Sequence, residues 1–190
     1  MEEATLPTRE QALALLREHV KSESMIRHCL ASEAVMRHLA RRFGEDEAKW
    51  GLAGLLHDVD VELTNADLAL HGLKAVEMLQ ERGLPDDLVQ AIKLHNEKAH
   101  DEKRSTRFHK ALAAGETITG LITAVTLVYP DKKLAGVKAK SIVKRMKEKN
   151  FAASVSREII LECEELGIPL PEFAETCLQA MQGIASDLGL

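Results

Sequence analysis

A chain of 190 residues suits one domain, or one domain with an extension, and 45% hydrophobic residues are enough to bury a real core. A formal net charge of −5 excludes a surface that is one continuous nucleic-acid footprint. The opening MEEATLPTRE has no apolar run of the secretory kind, and the weakly charged stretch 111–130 carries Glu116, four threonines and two glycines, which argues against a membrane span.

Aromatics are only 3%, Leu and Ala are plentiful, and the β-branched residues show no strand-like alternation, so the expected fold is all-α. Thr8-Arg-Glu-Gln11 reads as a capping box opening a first helix over about 9–20. Ser22 or Ser24 caps a second that runs to about Arg42 and stops at Gly44. Asp46 caps a third that ends near His57. Residues 58–70 read as a loop, because Asp58, Asp60, Asn65 and Asp67 break the apolar pattern. A fourth helix is expected over about 72–82, closing at Gly83, and Pro85-Asp86-Asp87 opens a fifth to about Glu97. After the charged loop 98–106 a sixth covers about 107–128. Two more follow near 138–148 and 152–166. Gly167 and the Pro169/Pro171 pair precede a last helix over about 172–188.

Cys29, Cys163 and Cys177 are odd in number and form no CxxC pair, which points to a reducing compartment, the cytoplasm, and to small core residues. The C-terminal third is electrically divided. Residues 131–149 hold eight Lys/Arg against two acids, and 158–190 hold seven acids and no Lys or Arg. The runs read either as solvated faces that balance each other or as a wall for an anionic ligand.

The residues that carry chemistry centre on Gly54-Leu55-Leu56-His57-Asp58, two adjacent metal-ligand types after an apolar run that anchors them. His28 shares a helical stripe with Val35 and Leu39, and His95 follows Leu88 and Ile92 at helical spacing, so both are expected to point inward. His71 opens the fourth helix. Glu116 is the only formally charged residue between Lys110 and Asp131, and a buried carboxylate needs a cation or a hydrogen-bond network. His19, His38, His100 and His109 are read as surface or packing residues.

The order His28, His57-Asp58, then a distant acid on a helix resembles the H…HD…D signature of the HD-domain superfamily of metal-dependent phosphohydrolases, over roughly residues 23–128. His71 in HGLKAVEML and His95 in AIKLHNE resemble the two extra histidines of its dinuclear HDIG-type members. The chain departs from the pattern in two places: Glu116 stands where family members commonly carry Asp, and the IG of HDIG is replaced, the run here being HDVD.

The resemblance implies an all-α HD-domain bundle with extra C-terminal helices, 1–190 forming a single domain. It implies one metal ion held by His28, His57, Asp58 and Glu116, and a second completed by His71 and His95 with Asp58 as the bridge. Mixed imidazole and carboxylate ligands suit Fe, Mn, Zn or Ni. The implied chemistry is phosphoester hydrolysis by a metal-bound hydroxide, on a small phosphorylated metabolite or nucleotide.

Lys140, Lys144 and Lys147 fall on one face of the segment from Lys138, and with Arg157 they are the expected phosphate grip. No aromatics are interleaved among these lysines, so extended nucleic acid is not the expected partner. Two other readings stay open: a non-catalytic metal- or nucleotide-binding regulatory module, supported by Glu116, and a di-iron oxygenase. Metal content with phosphatase turnover separates the first, and oxygen consumption the second.

Overall fold

The computed structural model describes residues 6–190. In chain order the helices are α1 (Arg9–His19), α2 (Glu23–Phe43), α3 (Glu47–Leu56), α4 (Leu73–Gln80), α5 (Asp86–His95), α6 (Arg107–Leu127), α7 (Ala139–Met146), α8 (Arg157–Leu161), α9 (Leu170–Gln182) and α10 (Ala185–Leu188). The fold is an all-helical bundle with extra helices beyond residue 150.

The caps account for most helix starts. Thr8 and Gln11 form the reciprocal box of α1, and the side chains of Ser22, Asp46 and Ser156 accept the backbone N–H groups of Met25, Lys49 and Ile159. Thr106 and His109 make an equivalent box at α6, a use of His109 beyond simple packing. Between α3 and α4, residues 57–72 form consecutive turns rather than an open loop.

Two C-terminal boundaries differ from expectation. The helix expected from 152 begins at Arg157, because Ala152 takes a positive φ of 45° and Ser156 restarts the helix with its side chain. The last helix starts earlier, at Leu170 with Pro171 in its first turn, and breaks at Gly183-Ile184 before α10.

Helix α2 is the central post. It packs on α3, α6 and α9, while α6 also meets α5, α7 and α8. The α2–α3 contact is backbone against backbone: a Cβ on Gly54 would sit 2.5 Å from the Ser32 carbonyl oxygen. Leu16, Met36, Leu39, Leu55, Leu56, Leu88, Ile92, Leu112 and Ile118 fill the core, and Trp50 stacks on Phe108 at 5.0 Å. Phe173, Cys177 and Met181 of α9 are buried in the same cluster, and all three cysteines are free and buried. Among the described residues, no helix is long and apolar enough to cross a membrane.

The acidic C-terminal segment does not pair with the basic one. Glu162 pairs with Arg104, Glu165 with Lys110, and Glu172 with Arg42. The ion pair found inside 131–149 among the described residues is internal, Arg145 with Glu148. Lys138, Lys140, Lys144 and Lys147 are exposed.

The Gly54 contact generates a test. Gly54→Ala drives a methyl into backbone that cannot rotate away, so urea denaturation should show a loss of about 1–3 kcal/mol or more. A stability equal to wild type would mean that α2 and α3 are not in this close contact.

Candidate metal centre

Four helices and the turn after α3 deliver one cluster. His28 stands near the start of α2, His57 caps the C-terminus of α3, Asp58 follows it, His71 precedes α4, His95 ends α5, and Glu116 lies mid-way along α6. His57, Asp58, His71 and His95 are buried.

Asp58 is the hub. Its Oδ2 lies 3.5 Å from His28 Nε2 and 3.4 Å from His57 Nε2. Its Oδ1 lies 3.0 Å from His71 Nε2 and 3.5 Å from His95 Nε2. Each oxygen therefore faces its own pair of imidazoles. Within each pair the two Nε2 atoms are only 3.0 Å apart.

The other face of each ring fixes its tautomer. His57 Nδ1 is 2.8 Å from the Gly54 carbonyl and His95 Nδ1 is 2.5 Å from the Ile92 carbonyl, so both must donate there. His71 Nδ1 donates to Asp60 Oδ1 at 2.7 Å. The Thr119 hydroxyl gives its proton to the Glu116 carbonyl at 2.7 Å, which leaves it an acceptor for His28 Nδ1 at 3.0 Å. All four Nδ1–H groups are thus held from behind, and all four Nε2 atoms converge on Asp58. Paired Nε2 atoms at this separation repel unless a proton or a cation lies between them. The outer acceptors are of the kind that orient metal-binding histidines.

Two groups meet the spacing needed to hold a metal ion: His28, His57 and Asp58; and Asp58, His71 and His95. Asp58 belongs to both. Glu116 sits at the edge of the first, with Oε2 3.6 Å from His28 Nε2 and Oε1 accepting the Thr117 hydroxyl. The donor set is mixed imidazole and carboxylate, the chemistry of transition metals rather than calcium.

Electrostatics favour a cation. Burial opposes the Asp58 charge, yet His57, His71 and His95 hold its pKa well below the usual carboxylate range. Burial likewise opposes the charge on Glu116, and His28 outweighs it and lowers the pKa. Burial also opposes charge on His71, but Asp58 and Asp60 lift it to about 10. Protons therefore compete with a metal for these sites, and binding must release them.

Asp60 was not singled out by sequence reasoning, although its signal is visible in the HDVD run. It is fully buried and takes the His71 ring N–H together with the backbone N–H groups of Gly72 and Ala75. Gly72 adopts φ 88°, which turns the chain so that His71 can reach Asp58 while its own N–H reaches Asp60. Asn96 locks the same turn through the carbonyls of Leu68 and His71, and Glu62 ties it to α2 by accepting the N–H groups of Lys21 and Ser22. Thr119 was also missed; it lies one helical turn after Glu116.

A cavity of about 530 Å³ opens over the cluster, with His28, Asp58, His71, His95 and Glu116 in its wall. The rim also carries Lys98 between acidic neighbours, Glu97 and Glu158, and the hydroxyl residues Ser154 and Ser156. The expected grip is not there. Lys140 does not line this cavity, and Lys144 lines a separate depression beside Tyr129 at the far end of α6. The Arg157 guanidinium donates to the carbonyls of Ala152 and Val155, both at 2.7 Å, and to those of Glu148 and Phe151. It holds the cavity rim in place and leaves its fork no room for a phosphate.

Residues 25–150 match the profile of the HD domain. The chain belongs to the HD domain family. No curated protein matches it in a sequence comparison. As an HD-domain chain with two His/Asp clusters able to hold a divalent metal, it is a metal-dependent hydrolase.

The outer hydrogen bonds generate a paired test. Thr119→Val removes the acceptor behind His28, and Asp60→Asn removes the charge behind His71. Each should weaken metal binding about 10–100-fold, the range seen for such outer partners, with helicity by circular dichroism retained. Unchanged affinity in both variants would show that these contacts do not orient metal ligands.

Proposed function

We propose that this single HD-type domain, spanning 1–190, is a phosphohydrolase acting on a small phosphoester or nucleotide. In this reading His28, His57, Asp58 and Glu116 would hold one ion of Fe, Mn, Zn or Ni, and His71 and His95, with Asp58, would hold a second. The observation that carries the reading is the two-sided Asp58 carboxylate with a pair of pre-aligned Nε2 atoms on each oxygen. Bound there, such ions supply Lewis acidity toward a phosphoryl oxygen and lower the pKa of water toward neutrality.

The chain's own residues set what can enter. Lys98 is the one Lys or Arg in the cavity wall among the described residues, so it takes over the phosphate-binding role expected of Lys140, Lys144 and Arg157. Its backbone N–H is fixed by Asn96 Oδ1 at 3.2 Å, which ties its position to the same asparagine that locks the His71 turn. Thr117, Ser154 and Ser156 offer hydroxyls to the rest of the substrate, and Leu68, Val155 and Ile159 offer an apolar strip. The wall contains no Phe, Tyr or Trp among the described residues, so recognition rests on the phosphate and on hydroxyl groups more than on base stacking.

Metal-reconstituted protein should be assayed against a panel of sugar phosphates, other phosphomonoesters and nucleotides. Asp58→Ala should abolish turnover while circular dichroism stays unchanged, because no neighbour replaces a carboxylate shared by both clusters. Lys98→Ala should raise KM about tenfold, in line with loss of one charge-assisted contact, with a smaller effect on kcat. The double charge reversal Lys140→Glu/Lys144→Glu should leave KM unchanged. Full turnover in a folded Asp58→Ala protein, or no hydrolysis of any phosphoester by metal-loaded wild type, would overturn the assignment.

A further inference from the structure

A second cavity, of about 380 Å³, lies away from the metal cluster, between α2 and the α9–α10 junction. Three arginines line it: Arg9 from α1, and Arg37 and Arg41 from α2. Its other wall is apolar, from Leu30, Ala34, Ala180 and Ile184.

The arginines are not loosely arranged. Glu33 is buried, and its Oε1 accepts the Nε–H of Arg9 at 2.7 Å and that of Arg37 at 3.0 Å. The buried carboxylate anchors each guanidinium by one charge-assisted hydrogen bond. Both are engaged through Nε alone, so among the described residues the Nη groups of Arg9 and Arg37 have no partner. Helix α3 is also shaped around one of them. A Cβ on Gly51 would come within 2.8 Å of Arg37 Nε, so a glycine in mid-helix leaves the room through which this side chain passes.

Arg41 also lines the cleft, but its guanidinium is engaged by Glu47 and by His38 Nδ1, to which it donates at 2.8 Å. With Arg41 paired to Glu47, the wall sets Arg9 and Arg37 against Glu33 and Asp187, so the cleft offers directed donors and no surplus of charge. A tie between α1 and α2 needs only one guanidinium on Glu33. Two, each with an unused fork beside an apolar wall, form a receptor for an anion with an apolar body.

We propose that this cleft is a second ligand site, for a small organic anion. The carboxylate or phosphate head takes the Nη groups of Arg9 and Arg37, and the apolar body lies on Leu30, Ala34, Ala180 and Ile184. The proposal does not depend on the metal-centre reading.

The test is a titration of the full chain, followed by NMR, with butyl phosphate in one arm and hexanoate in the other. Saturable shifts are expected at the Nε–H signals of Arg9 and Arg37 and at the backbone amides of Gly183, Ile184 and Asp187. The tighter arm identifies the head group. Arg37→Met, which keeps the aliphatic stem over Gly51, should weaken binding about tenfold or more, and Arg9→Met at the half-exposed Arg9 should weaken it severalfold, consistent with the loss of charge-assisted contacts. Shifts confined to Asn96, Lys98 and Ser156 would place the probes in the metal cavity only and overturn the proposal. So would the absence of any saturable shift with either probe, or wild-type affinity in a folded Arg37→Met or Arg9→Met protein.

Discussion

The structure turns on one carboxylate shared between two pairs of imidazoles. Asp58 is buried, and each of its oxygens meets the Nε2 atoms of two histidines drawn from different helices. Such a gathering is unstable in a protein interior without charge to balance it. The surrounding fold answers by fixing every ring from behind. A carbonyl, a hydroxyl or a carboxylate accepts each Nδ1–H, and no ring is free to flip its basic nitrogen away from the centre.

This constraint reaches into the helical packing. The carbonyl of Gly54 orients His57, and the same residue allows α3 to lie against the backbone of α2 at Ser32. Ser32 is one turn beyond His28, and its hydroxyl donates to the His28 carbonyl. This backbone-to-backbone helix contact and the alignment of two metal-ligand candidates are therefore one feature. On the opposite side, Asp60 serves both as the partner of His71 and as the anchor of the turn that opens α4. The two clusters able to hold a metal and the fold are mutually supporting, so the donor geometry is part of the fold itself.

The helical framework was legible because apolar periodicity and side-chain caps carry it. Thr8, Ser22, Asp46 and Thr106 each begin a helix, and α6 ends within a residue of its expected limit. The C-terminal boundaries were less legible, because the break at Gly183-Ile184 and the positive φ at Ala152 depend on packing rather than on a local turn signature. His28, His57, Asp58, His71 and His95 were named through their resemblance to the HD-domain pattern, and the structure brings them together in two groups able to hold a metal ion. The contacts of Asp60 and Thr119 could not be read in that way: Thr119 reaches His28 only when α6 packs on α2, and Asp60 reaches His71 only when the turns between α3 and α4 close. The basic segment misled for a related reason. Local charge density says nothing about direction, and α7 turns its lysines to solvent while Arg157 is consumed by backbone carbonyls. Lys98, a single charge in a charged loop, had no such signal yet lies at the cavity.

Anomalous diffraction from crystals soaked in manganese tests the shared Asp58 site. Two peaks are expected to flank the Asp58 carboxylate, one bonded to Nε2 of His28 and His57, the other to Nε2 of His71 and His95. A chain with no peak at Asp58, or with an ion bound through Nδ1 of these histidines, would contradict a site built on that carboxylate.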